Sequence, residues 1–145
     1  LTLASEVGNL KLQAACFNNM SNSYADNGDF LKSIEYLKKA QEINERLGDR
    51  AAVARVLNNL GATYFSMQEY ESASDYFIQA LELRKQIGDK RGQASSLANL
   101  GSINTEKGNH DKAIEYFTRA LEIARAINAG DVEMKIYESL SEAYD

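Results

Sequence analysis

A pattern that returns every forty residues decides what this chain can fold into. Met20, Leu60, Leu100 and Leu140 are each followed by a small residue: Ser21, Gly61, Gly101 and Ser141. Phe17, Leu57, Leu97 and Tyr137 stand three residues ahead, and Tyr24, Tyr64, Asn104 and Tyr144 three residues behind the small one. The same spacing holds for Ser33, Ala73 and Ala113, for Tyr36-Leu37, Tyr76-Phe77 and Tyr116-Phe117, and for Ala40, Ala80 and Ala120. A unit of this length cannot bury its apolar face alone. Stacking on its neighbours buries a continuous core.

Each unit reads as two amphipathic helices. Leu57, Leu60 and Tyr64 recur at i, i+3 and i+7, and Ala73, Tyr76, Phe77 and Ala80 at i, i+3, i+4 and i+7. The chain has no proline and only nine glycines, which permits long uninterrupted helices. Breaks are expected at Asn27-Gly28-Asp29, Met67-Gln68-Glu69 and Lys107-Gly108-Asn109, and again at Leu47-Gly48-Asp49 and Ile87-Gly88-Asp89. In these turns Gly can take the left-handed conformation and Asp can cap the next helix. Ile127-Asn128-Ala129-Gly130-Asp131 departs from this. The reading there is a cap moved two residues later, with the extra residues absorbed in the turn. The small residues let helices approach closely, with Gly61 expected against Ala73, and Ala80 at the junction with the next repeat.

Composition removes several function classes. Sixteen Lys and Arg against 21 Asp and Glu leave a net charge of −5, and the expected groove offers Arg55 and little else that is cationic, so a nucleic-acid partner is not expected. One cysteine and one histidine exclude a disulfide within the chain and a Cys- or His-rich metal site. No apolar run is long enough to span a membrane, and no cofactor motif is present. Cys16 reads as a small buried filler and His110 as a replacement for the aromatic at Phe30 and Tyr70. With no third group to orient them, the chain is expected to be non-catalytic. The row Tyr36, Tyr76 and Tyr116 follows the core pattern and reads as packing rather than base stacking. The cysteine usage fits cytoplasm or periplasm.

These positions resemble the tetratricopeptide repeat. Leu60, Gly61, Tyr64, Ala73, Phe77 and Ala80 match its large and small positions, and Leu100, Gly101, Ala113, Phe117 and Ala120 match them again. The resemblance implies an all-α superhelix of antiparallel helix pairs. Residues 9–48, 49–88 and 89–128 would be three repeats, residues 1–8 the tail of a preceding one, and 129–145 the start of a fourth. The period exceeds the usual value of about 34, as in the long-repeat arrays of spindle-orientation scaffolds, kinesin light chains and bacterial signalling sensors.

The resemblance also implies a function: binding a protein or peptide segment in the concave groove lined by the first helices. Carried over by register, the groove residues are Asn18, Asn22, Arg55, Asn58, Asn59, Ala62, Phe65, Ser95, Asn99 and Ser102. Asn19, Asn59 and Asn99 share one position. Asn costs roughly half a kcal/mol in a helix interior relative to Ala, so its return calls for a compensating role. Amides donate and accept, so a row of them can pair with any peptide backbone, or can bond between helices and stiffen the stack. The carboxylate-gripping set of chaperone-binding relatives maps to Asn18, Asn22, Asn59, Ser95 and Asn99, without a cation, which disfavours acidic chaperone tails. A sensory or assembly region of a larger bacterial signalling protein, such as a histidine kinase or transcriptional regulator, and a structural spacer are the other readings. Terminal helices lacking a neighbour would expose apolar surface and favour end-to-end association.

Overall fold

The computed structural model describes residues 2–144, so the ends of the first and last expected spans, Leu1 and Asp145, lie outside the described residues. Among these residues there are seven helices: α1 Leu3–Asp26, α2 Phe30–Leu47, α3 Arg50–Ser66, α4 Tyr70–Gln86, α5 Lys90–Glu106, α6 His110–Ala126 and α7 Gly130–Tyr144. Each helix packs on the next in antiparallel pairs, and α5 also touches α7, the first helix of one unit meeting that of the following unit. Among the described residues no helix is long and apolar enough to cross a membrane.

Six short turns of the same kind make the stack. Gly28, Gly48, Gly88 and Gly108 have φ between 68° and 79°, and the equivalent places are taken by Gln68 at 62° and Asn128 at 56°. At Gly48, Gly88 and Asn128 the next residue's N–H reaches back to Asn44, Arg84 and Ala124 carbonyls at 2.9–3.0 Å, closing the end of the helix. Asp29, Asp49 and Asp89 then cap the following helices through Lys32, Ala52 and Gly92 N–H groups. The displaced cap expected near Asp131 is not found. Asn128 holds the left-handed place in register, α7 starts at Gly130 in line with Arg50 and Lys90, and Ala129 simply lacks a capping side chain.

The small residues make room for rings. A Cβ on Gly61 would lie 2.8 Å from the Phe77 ring, and on Gly101 2.7 Å from Phe117. Gly61 therefore receives the aromatic one turn beyond Ala73. In the first unit Ser21 carries a Cβ, and the facing position is the smaller Leu37, both fully buried. Ala80 shares a cluster with Val53 and Leu57 of its own unit's first helix, rather than lying only at the next junction. The tyrosine row is packed: Tyr36 stacks on Tyr24 and Tyr76 on Tyr64, with ring centroids 5.4 Å apart in each pair.

The first unit differs in two ways from its expectation. Residues 1–8, expected as the tail of a preceding repeat and so divided from the first unit by a turn at Gly8, are not set apart: among the described residues α1 runs through Gly8 from its Thr2 cap. Glycine permits a left-handed turn without forcing one, and among the described residues no earlier helix offers a reversed chain anything to pack on. Cys16 is exposed rather than buried. Its counterparts Val56, Ser96 and Ile136 are at most 2% exposed because the preceding unit covers that face, whereas among the described residues nothing covers that face of α1. Leu12 and Met20 are exposed for the same reason, and at the other end so are Met134, Tyr137 and Tyr144.

Candidate functional site

The ten expected residues lie on the first helices of three units, α1, α3 and α5. Asn22, Arg55 and Ala62 are exposed; Asn18, Asn58, Asn59, Phe65, Ser95, Asn99 and Ser102 are half-buried. Two amide pairs cross from one first helix to the next. Asn59 Nδ2 donates to Asn18 Oδ1 at 3.0 Å, and Asn99 Nδ2 donates to Asn58 Oδ1 at 3.0 Å. Each pair spans 41 residues of sequence, so it ties neighbouring units together. The pairing is economical of bonding capacity. It uses one donor of one amide and one acceptor site of the other, and leaves further N–H and C=O capacity on both.

The remaining members are less uniform. Phe65 leans on the Tyr70 ring at 5.6 Å, so part of its apolar surface is spent inside the fold. Ser102 Oγ donates to the Ala98 carbonyl. Asn22, Asn59 and Ala62 line a shallow depression of about 130 Å³. A larger pocket of about 380 Å³ between α5 and α7 gathers Asn58, Ser95, Asn99 and Ser102. Arg55 lines a third, of about 290 Å³, where α1 and α3 meet the end of α2.

Lys11 and Asn44 beside Arg55, and Arg91 beside Ser95, are among the polar residues of these pockets that escaped the sequence reading. Lys11 and Arg91 share a register position one turn before the residues carried over, so the available signal was a second cationic position on the same helix face. Asn44 belongs to a second helix and reaches the face only through the way the helices pack. Arg91 is paired with Asp131, and this hydrogen bond holds the Asp131 carboxyl below the usual carboxylate range. Arg84, the counterpart of Asn44, is buried and donates to the Gly92 carbonyl at 3.1 Å and Ser96 Oγ at 2.8 Å. Burial pushes its pKa down from the ordinary value, and Asp89 opposes that shift. Cys16 lies on α1 and His110 opens α6; neither makes a side-chain hydrogen bond among the described residues. Among the same residues no three His, Cys, Asp or Glu side chains gather as a metal site would need.

No curated protein matches the chain. Among solved structures, it is similar to aspartyl phosphate phosphatase F from Bacillus subtilis, with a TM-score of 0.86 at 20% identity over 90% of this chain and 34% of the other. It is also similar to the Rap conjugation gene regulator of plasmid pLS20, solved in complex with the Phr* peptide, with a TM-score of 0.83 at 16% identity over 99% of this chain and 40% of that one. A third likeness is to a signal transduction ATPase with a tetratricopeptide repeat sensor from Pyrococcus horikoshii, with a TM-score of 0.81 at 25% identity over 92% and 21%. The chain thus spans between a fifth and two fifths of these proteins. The tetratricopeptide repeat family matches residues 12–86 and, in a second register, 53–126. Together with the stacked antiparallel helix pairs, this shows that the chain belongs to the tetratricopeptide repeat family.

Proposed function

We propose that the first-helix face binds an extended or helical segment of another protein without catalysing a reaction. The observation that carries the reading is the amide ladder. Asn18, Asn58, Asn59 and Asn99 are each half-buried, tied across units, and still hold unused donors and acceptors. A ligand backbone would meet amides already fixed in place, which lowers the ordering cost of binding. Ala62, the exposed edge of Phe65 and Arg55 would add apolar and cationic contacts beside the ladder. The Rap regulator solved with its Phr* peptide supports the same reading by likeness of fold.

A second reading is a sensor or assembly region within a larger bacterial signalling protein. Its support is the likeness to an ATPase whose repeats are described as a sensor, together with the forty-residue unit built from helices of 17 and 18 residues. The two readings are compatible, since a sensor of this kind would act through its groove. A pure spacer would have no ligand at all.

The test is Asn59→Ala with Asn99→Ala. Binding of a partner captured by the intact chain should weaken by roughly tenfold or more, the loss of two to four hydrogen bonds. Helicity and cooperative melting should persist. Unchanged affinity in the folded double variant would reject the ladder as the binding element.

A further inference from the structure

The same structural place occurs three times, at the end of each second helix where it meets the next first helix, and it is filled in three different ways. In the second unit Arg84 fills it, and its guanidinium satisfies the Gly92 carbonyl and Ser96 Oγ. The fit is tight enough that a Cβ on Gly92 would lie 2.7 Å from Arg84 Cδ. In the third unit the residues are Ala124, Val132 and Ile136, all buried, and the nearby Arg91 is already paired with Asp131. In the first unit the shorter Asn44 stands at this place, with Ala52 and Val56 at the positions of Gly92 and Ser96. There a pocket of about 290 Å³ stays open.

The lining of that pocket has a definite chemistry. Lys11 and Arg55 are exposed on neighbouring first helices, and neither forms an ion pair among the described residues. Asn44 is only 7% exposed and makes no side-chain hydrogen bond among the described residues. Its amide is not sealed in, because the one fully enclosed, unpaired side-chain atom described is Ser33 Oγ. Asn18 and Asn19 contribute further amides. One acidic group, Asp49, also lines the pocket, but one of its oxygens already accepts from the Ala52 N–H as a helix cap. Two unpaired cations and several amide donors around a single committed carboxylate favour an anion.

We propose that this pocket takes one carboxylate of the segment bound on the first-helix face, held between Lys11 and Arg55 with Asn44 donating from below. The proposal rests on the peptide-binding reading and adds the ligand's charge and register. An acidic group would sit at the α1–α3 end, with the backbone running along the amide ladder. These are not the positions that the family's carboxylate-gripping set occupies in this chain, which have no cation. A planar carboxylate accepts from a guanidinium, an ammonium and an amide at once, which a neutral side chain cannot. Charges on the rim are partly screened, so the contact should weaken with salt.

The test uses two pooled libraries of N-acetylated decapeptides against the intact 145-residue chain, one library C-amidated and one with free carboxyl ends. The wild type should enrich peptides carrying Asp or Glu at one fixed place in the amidated pool. Enrichment confined to the free-acid pool would assign the same pocket to a terminal carboxylate and also uphold the proposal. Lys11→Ala with Arg55→Ala should bind the selected acidic peptides roughly tenfold more weakly, and should lose much less on the same peptides with Asp→Asn or Glu→Gln. Lys11→Glu with Arg55→Glu should turn the preference toward Lys and Arg. Both positions are exposed, so the fold should survive and melting curves will check it. Peptides selected without any acidic preference would overturn this proposal and leave the binding face standing. No selected peptide from either pool would remove both.

Discussion

Ser33 Oγ is enclosed by the fold and has no hydrogen-bond partner among the described residues. The equivalent residues in the next two units are Ala73 and Ala113, both fully buried. A buried hydroxyl without a partner forfeits its hydration for nothing in return, a cost of about 1–3 kcal/mol. Ser33→Ala removes the oxygen and keeps the Cβ that fills the space. It should stabilise the chain by about 1 kcal/mol, read as a higher urea midpoint with an unchanged slope. A lower midpoint would mean that the hydroxyl has a partner in solution. The repeat made position 33 legible as a packing site, because Ala holds it elsewhere. The orphaned oxygen was not legible, since a serine can turn its hydroxyl to a helix carbonyl one turn back, as Ser66 does toward Ala62 and Ser102 toward Ala98.

Between elements, the controlling contact is glycine against ring. Gly61 and Gly101 face Phe77 and Phe117, and where serine replaces glycine the ring gives way to Leu37. Ring and small residue change together. Gly61→Ala alone should destabilise by about 1–3 kcal/mol through overpacking. Adding Phe77→Leu should recover much of that loss, so the two changes couple favourably in a double-mutant cycle. Additive effects would show that α3 and α4 shift apart freely at this point. The helices themselves, their turns and their buried faces could be read from the period, because every unit repeats the same neighbours. The failures fall where the neighbours differ. Cys16 carries the register of a buried residue and is exposed, because burial belongs to the pair of helices and not to the helix. Gly8 carries the register of a turn and lies inside α1, because a turn needs a second helix to return to. The candidate face was legible at its ladder for the same reason, and not at Asn44, which belongs to a second helix and lines the opening only through the way α2 packs against α1 and α3.

Over the whole molecule, the units are joined by apolar clusters, by the amide ladder, and by ion pairs that cross from one unit to the next. Lys107 at the end of α5 pairs with Glu71 of α4, and Arg91 of α5 pairs with Asp131 of α7. The hydrogen bond from Lys107 holds the Glu71 carboxyl below its ordinary range, as the one from Arg91 does for Asp131. A carboxyl whose pKa is lower in the folded chain binds protons less readily there than when unfolded. Its contribution is therefore complete above the unfolded pKa, and is lost as pH falls through the folded one. Both pairs are exposed, so the effect is small and screened by salt. Glu71→Gln with Asp131→Asn should lower the melting temperature slightly at neutral pH. The gap from wild type should close on acidification below the usual carboxylate range, and narrow at neutral pH in high salt. Stability in a stack of this kind is close to a sum of unit and junction terms, so two small junction losses should add. A gap that widened in acid would mean that the two carboxylates are better bound to protons in the folded chain, contrary to the pairing geometry.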